Sequence, residues 1–362
     1  MTQGESNAVG RDGPVDPIGG ERAAAPQFGS ARRDGRSGGK RRRKGGGRDG
    51  DPVVPDVEFT SYYGRPIVKA SPWEIDIPIY LFLGGLAGGS SLLAAGADLT
   101  DRPTLRRAAR LSAAGGITVS FAALVHDLGR PSRFVNMLRV AKPTSPMSVG
   151  TWILTAYGPL AGLAGAAELR DFVPLPSFAR SLLGVLARPA GLVAALTAPA
   201  VASYTAVLLS DTATPSWHEA HRELPFVFVG SAAGASGGLA MITTPVAQAG
   251  PARRLAVTGA VLELAAEHRM EASMGVTAEP LHDGTPGRLM RASKILTAAG
   301  AVLTAVAGRR SRLASALGGA SLVGGSICLR LGVFDAGQAS ARDPKYTVVP
   351  QRERLEARRA AR

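Results

Sequence analysis

His126 and Asp127 stand side by side at the end of an apolar run, inside the stretch ITVSFAALVHDLGRPSRFVNMLRVAKPTSPMSVGTW of residues 117–152. An imidazole titrates near neutrality, and a carboxylate beside it can fix its tautomer. Such a pair can hydrogen-bond a quinone carbonyl and handle the proton that accompanies each electron. The competing reading is structural, with Asp127 closing the loop by pairing with Arg130. Glu263 and Glu267 form a second pair. Four residues apart, they share one helix face beside His268. Two acids on one face inside a membrane suggest a wet cavity or a proton path, unless the helix barely enters the bilayer. Tyr80, Trp152 and Tyr204 are aromatic candidates in or beside apolar runs, where rings most often form an interfacial belt.

The elements that must position these groups are apolar and long. Of 362 residues, 45% are hydrophobic and only 19% are charged, and Gly occurs 45 times. Runs of about 20 residues rich in Gly, Ala and Leu recur from residue 78 to 334, each long enough for a hydrocarbon core of roughly 30 Å. Small residues let helices approach closely in lipid. The pattern predicts an all-α integral membrane protein with eight spanning helices, near 78–99, 107–128, 149–169, 190–209, 224–246, 255–268, 292–307 and 313–334. The sixth and seventh are the weakest, the sixth being short and acidic. A large soluble domain does not fit these runs.

Four segments follow from this reading: a basic tail (1–52), an interfacial segment (53–77), the eight-helix domain (78–334) and a polar C-terminal tail (335–362). The first is rich in Gly, Arg, Asp and Ser, with the run GGKRRRKGGGRDG, and is expected to be disordered. The second holds two tyrosines, Trp73 and several prolines, suited to lying along the membrane surface. An even helix count puts both termini on one side, with the long loops around His126, TPSWHEAHRE (214–223) and 269–290. The short turns at Arg102–Arg107, Arg253-Arg254 and Arg309–Arg312 lie on the other. Basic short turns favour the cytoplasm for their own side, whereas the KRRRK run argues the opposite orientation.

A net charge of +14 tempts a nucleic-acid reading. The excess lies in tails and juxtamembrane turns, where basic residues more often meet anionic lipid headgroups. The sole cysteine, Cys328, excludes an intrachain disulfide, and no CxxC pair can hold zinc or an iron–sulfur cluster. Haem needs facing histidine pairs, and only His126 and His268 sit in or at the end of helices. The expectation is no haem and no bound metal.

Five strings in order resemble the NrfD/polysulfide-reductase membrane-subunit family: YYGRPIVKASPWEIDIPIYLFLGGLAGGS (62–90), HDLGRPSRFVNML (126–138), KPTSPMSVGTW (142–152), YTAVLLSDTATPSWHEAHRELPFVF (204–228) and SARDPKYTVVPQ (340–351). The resemblance covers about residues 57–351. It implies eight helices as two four-helix bundles, and a quinone (menaquinone or ubiquinone) held near the docking face of a four-cluster ferredoxin-like iron–sulfur subunit. It also implies a molybdopterin catalytic subunit beyond that partner. The matching quinone-pocket candidates are Trp73, Tyr80, His126 and Tyr204, with Arg130 and Trp152 at the same corner. Glu74 and Asp76, which follow the Trp, can alter proton access. His126, Asp127, Glu263 and Glu267 are the proton-handling candidates. The expected product is a multi-pass plasma-membrane anchor and quinone-reactive subunit, part of an enzyme but not the seat of its substrate chemistry. A secondary transporter and an anchor with a dead pocket are the rivals. The transporter predicts inverted repeats and ionisable groups at mid-membrane. The sequence offers charges at helix edges and no clear repeat.

Overall fold

The structure, a computed structural model, describes residues 64–361. The expected basic tail and residues 53–63 lie outside the described residues. What is described is all helical, with no strand. Eleven α-helices follow in order: α1 (Asp76–Leu99), α2 (Pro103–Asp127), α3 (Phe134–Met137), α4 (Pro146–Leu169), α5 (Ser177–Ser210), α6 (Pro215–Glu219), α7 (Leu224–Thr243), α8 (Gly250–Ser273), α9 (Gly284–Val306), α10 (Arg312–Arg342) and α11 (Lys345–Ala360).

Six of these, α1, α2, α5, α7, α9 and α10, are long and apolar enough to cross a membrane. Their outward faces carry large apolar side chains such as Leu196, Ile295 and Val302, which water would not favour but lipid accepts. The protein is therefore a multi-pass membrane protein. α4 and α8 match the lengths of the other six. α4 is diluted by Gly, Pro and Thr, and α8 carries several charges.

Helix starts follow local chemistry. Proline occupies a first-turn position in α2, α4, α6, α7 and α8, where its missing N–H costs nothing. The Ser311 side chain caps α10 by accepting from the Ala314 N–H at 3.2 Å. Several helices outrun their apolar runs. α5 begins at Ser177 rather than near residue 190, α9 at Gly284 rather than near 292, and α10 ends at Arg342 rather than near 334. α8, expected as a short 255–268 segment, extends from Gly250 to Ser273. The reason is that charges ending a hydropathy window find partners, so the backbone continues. Arg188 of α5 pairs with Asp98 at 3.2 Å, and Arg291, just before the expected start of α9, donates to the Gly287 carbonyl at 3.2 Å. Pro189 and Pro199 lie within α5, as membrane helices tolerate.

Packing runs through small residues. α1 packs on α2, α5 and α7; α4 on α5 and α2; α7 on α8 and α10; and α9 on α10. At Gly88 a Cβ would come within 2.9 Å of the Ala198 carbonyl oxygen, so α1 meets α5 backbone to backbone. Gly238 of α7 faces Gly319 of α10 in the same way, and a Cβ there would lie 2.6 Å from the Gly319 carbonyl oxygen.

The chain reverses at each long helix. The loops 128–145, 211–223 and 274–283 therefore share one end with residues 64–75 and α11. At the other end, Arg110 donates to Glu168 at 2.9 Å and lies 3.8 Å from Asp98, with Arg106 and Arg188 completing a largely neutralised cluster.

Candidate functional site

At the loop-bearing end, the first turn of α1 meets the last turn of α2. The His126 Nδ1 lies 2.8 Å from Oδ2 of Asp76. The partner of His126 is thus Asp76, fifty residues away, and not its neighbour Asp127. No ion pair joins Asp127 to Arg130 among the described residues, so the loop-closing alternative does not form either. His126 is largely exposed, with 81% of its side chain accessible, while Asp76 is mostly covered. Donation of Nδ1–H to the carboxylate leaves Nε2 as the acceptor, able to take up a proton.

Tyr80 sits one helical turn deeper than Asp76 on the same face of α1. Its ring meets Tyr204 of α5 edge to face, with centroids 6.5 Å apart. Ser120 of α2 donates to the Tyr80 carbonyl at 3.0 Å, holding α1 and α2 in register here. Gly150 of α4 makes room for the Tyr204 ring, which a Cβ there would overlap. Both tyrosines are buried, at 1% and 8% exposure. Neither hydroxyl hydrogen-bonds another described residue, and neither is a fully buried atom left without a partner. A carbonyl oxygen entering this corner would find a donor ready.

Trp73 goes elsewhere. It stacks on Trp217 at 6.0 Å, and Trp217 in turn lies 5.5 Å from Phe334. The Trp217 indole donates to the Val333 carbonyl at 2.8 Å. The Gln338 amide donates to the carbonyls of Ser71 (3.0 Å) and Trp73 (3.3 Å), pinning the irregular segment before α1 to α10. A cavity of about 730 Å³ opens beside this stack, lined by Trp73, Glu74, Phe334, Asp335, Gln338 and Arg342 among others, but not by Tyr80 or Tyr204. Trp152 is half exposed. Its indole donates to the Val140 carbonyl at 3.3 Å and lines a separate, apolar hollow with Lys142. Arg130 is exposed in the loop after α2. The structure therefore joins Asp76, His126, Tyr80 and Tyr204 into one column, and it separates Trp73, Trp152 and Arg130 from that column.

Glu263 and Glu267 are both buried. Glu263 lies about 15–20 Å from each end of α8 at 1.5 Å per residue, so α8 does not merely touch the surface. Thr297 of α9 donates to Glu263 at 3.1 Å. Glu267 has no hydrogen bond and lies 3.8 Å from Lys294. Arg330 of α10 completes this interior. Its Nη2 donates to the Phe228 carbonyl at 2.9 Å, and its guanidinium lies 3.7 Å over the Phe228 ring. Nε and Nη1 have no partner, and no ion pair joins Arg330 to Glu263 among the described residues. The reading of charges at helix edges, set against a transporter, does not extend to this interior, where Glu263 and Arg330 are both buried. Sequence reasoning missed Arg330 and Trp217. An arginine inside the run SLVGGSICLRLGVF was the available signal, since an ionisable residue within a span is functional by default. Among the described residues no group of three His, Cys, Asp or Glu could hold a metal.

Comparison with known proteins adds an independent line. Residues 67–259, more than half of the chain, match the family described as "Polysulphide reductase, NrfD". The C subunit of polysulfide reductase from Wolinella succinogenes is 32% identical over 184 residues, which is 46% of this chain and 57% of that protein. The match thus spans little more than half of that relative. The column from His126 to Tyr204 and the Trp73/Trp217 contact fall within the family match, whereas Arg330 and Phe334 fall beyond it. With six apolar helices and this match, the chain belongs to the NrfD polysulphide reductase family of membrane proteins.

Proposed function

We propose that this chain is the membrane anchor and quinone-reactive subunit of a multi-subunit oxidoreductase. In this reading its eight long helices all span the bilayer, as two four-helix bundles, α1, α2, α4 and α5 against α7 to α10. A quinone, menaquinone or ubiquinone, binds at the loop-bearing end of the first bundle and supplies the two-electron, two-proton chemistry. The observation that carries the reading is the column of Asp76, His126, Tyr80 and Tyr204.

The residues fit that ligand by their donor chemistry. Tyr204 and Tyr80 offer phenol O–H groups without partners among the described residues. Gly150 leaves the Tyr204 ring a flat neighbour of small cross-section. Asp76 fixes the ring of His126 through Nδ1, and Nε2 relays a proton between the wet loop side and the buried corner. Asp127, next to His126, adds a second carboxylate at the proton entrance. Trp73 and Trp217 hold the segment entering α1 against α10 and so fix the position of Asp76.

An iron–sulfur subunit of the four-cluster ferredoxin type docks on the face made by the loops 128–145, 211–223, 274–283 and α11. A molybdopterin subunit lies beyond it. Electrons enter or leave there, because proximity governs transfer and the column opens on that face.

The test is quinol turnover by the assembled complex. Tyr204→Phe and His126→Ala should each lower it about tenfold or more, within the usual range for lost acid–base groups, with the iron–sulfur subunit still bound. Wild-type turnover in both variants removes the site. Normal assembly with no quinol turnover in the wild type leaves an anchor with a dead pocket.

A secondary transporter is the second reading, favoured by the buried Glu263 and Arg330. It predicts uptake into vesicles by the chain alone and no co-purifying iron–sulfur subunit.

A further inference from the structure

A second cavity lies at the end of the molecule opposite the loops, between the start of α8 and the end of α9. It measures about 540 Å³, and four arginines line it: Arg102, Arg253, Arg254 and Arg309. They come from three places far apart in sequence, the turn before α2, the first turn of α8 and the turn after α9. Their convergence is therefore a product of folding.

No carboxylate within the cavity neutralises this cluster. No acidic residue lines it; residues 244–262 and 298–315 contain none, and Asp101, next to Arg102, makes no ion pair with the cluster among the described residues. On the same end, Arg106, Arg110 and Arg188 share the carboxylates of Asp98 and Glu168. The contrast is local and specific. Arg253 spends one N–H on the Val246 carbonyl at 2.9 Å, and Arg102 reaches the Gln248 carbonyl at 3.5 Å. The Arg102 Nε is buried without any partner. Two guanidinium groups flank Gly250: a Cβ there would lie 3.8 Å from Arg253 Nη2 and 4.0 Å from Arg102 Nη1. The side chains of Arg254 and Arg309 make no hydrogen bond or ion pair among the described residues. Like charges held this close need a counter-ion.

We propose that this cavity binds a phosphate-bearing anion, the headgroup of an anionic phospholipid. Guanidinium groups match phosphate oxygens in a bidentate fork, and the N–H groups of the first α8 turn add to the field. The walls below the arginines are apolar, with Val257 and Ala305 in the cavity itself. Val261 and Val302 continue down the outer faces of α8 and α9, at 62% and 63% exposure. An acyl chain has a track there, which free phosphate does not use. Basic pockets between membrane helices on the anionic leaflet bind such headgroups.

The test uses the purified full-length chain in detergent. Native mass spectrometry compares retention of phosphatidylglycerol with zwitterionic phosphatidylcholine. The variant is Arg254→Gln/Arg309→Gln, whose side chains hold nothing else together, and the control is Arg310→Gln, outside the cavity. Preferential retention of phosphatidylglycerol by wild type and control, reduced roughly tenfold in the double variant, supports the headgroup. A parallel thermal-unfolding series compares millimolar inorganic phosphate with chloride at equal ionic strength. Phosphate stabilisation lost in the double variant, without a lipid preference, assigns the site to the free anion. Equal retention of both lipids together with no difference between phosphate and chloride overturns the proposal. So does a double variant that behaves as wild type in both assays.

Discussion

Helices α1, α2, α4 and α5 bury the Tyr80 and Tyr204 rings, and helices α7 to α10 bury Glu263, Glu267 and Arg330. In the first, Tyr80 and Tyr204 occupy the interior, and the ionisable groups sit at the two rims, Asp76 with His126 at one and Asp98 with Arg110 and Glu168 at the other. In the second, Glu263, Glu267 and Arg330 are interior, surrounded by Ser and Thr hydroxyls such as Ser231, Ser326 and Thr297. A rim can exchange protons with water at little cost. An interior charge is stable only while a partner or hydrogen bond offsets its desolvation. The two groups should therefore fail differently.

The largest effect is expected from Arg330→Met. It removes a buried cation that donates to the Phe228 carbonyl, and leaves the Glu263 carboxyl held by hydroxyls such as that of Thr297; loss of one partner from a buried charge network costs up to about 3–5 kcal/mol. Little folded protein should remain by fluorescence-detected size exclusion, and adding Glu263→Gln should restore much of it. Stable, abundant Arg330→Met would show that Arg330 does not hold the interior charge.

Next comes Gly150→Leu in the ring-bearing group. The new side chain must enter space held by the Tyr204 ring, and overpacking of this kind costs about 1–3 kcal/mol. The melting temperature should fall by several degrees with the fold retained. An unchanged melting temperature would mean that α4 moves aside freely.

Tyr204→Phe sharpens the contrast. Its hydroxyl has no partner among the described residues, so removing it should leave thermal stability unchanged while quinol turnover drops. A loss of stability would reveal a hydrogen bond inside the protein and weaken the case for a ligand donor.

The smallest effect concerns α11. Lys345 and Tyr346 beside Glu279 hold its carboxyl below the ordinary glutamate range, and Glu279 holds the Lys345 ammonium above its own. A depressed carboxylate contributes above its unfolded pKa and loses that contribution as pH falls through the folded value. A raised lysine contributes below its unfolded pKa and loses it as pH rises through the folded value. The pairing should thus tether α11 across the neutral range and release it in acid. Arg354 of α11 also pairs with Glu219. Hydrogen exchange at residues 345–360, corrected for intrinsic rate, should quicken below the glutamate range. Exposed pairs stabilise little, so a change confined to this helix is the expected reading.

Much of this was legible in the chain. The apolar runs predicted long helices near their observed places, six of them apolar enough to cross a membrane, because crossing a hydrocarbon core demands length and apolarity that no tertiary contact can supply. His126 and Tyr204 stood out by type and position. Their partners did not. Asp76 is fifty residues from His126, and only the packing of α1 on α2 selects it over Asp127. The early start of α5 was hidden because Arg188 and Pro189 look like an end until Asp98 arrives from α1. Arg330 was visible as an arginine in an apolar run, but its placement over Phe228 was not.

By itself, then, the sequence determined that this is a membrane protein of long apolar helices joined by charged loops, since hydropathy is a local property of each run. Only the tertiary structure decided which groups meet: His126 with Asp76, Tyr80 with Tyr204, and four arginines around one hollow. Pairing across helices depends on register and rotation, which small residues such as Gly88 and Gly150 set by how closely they let backbones approach.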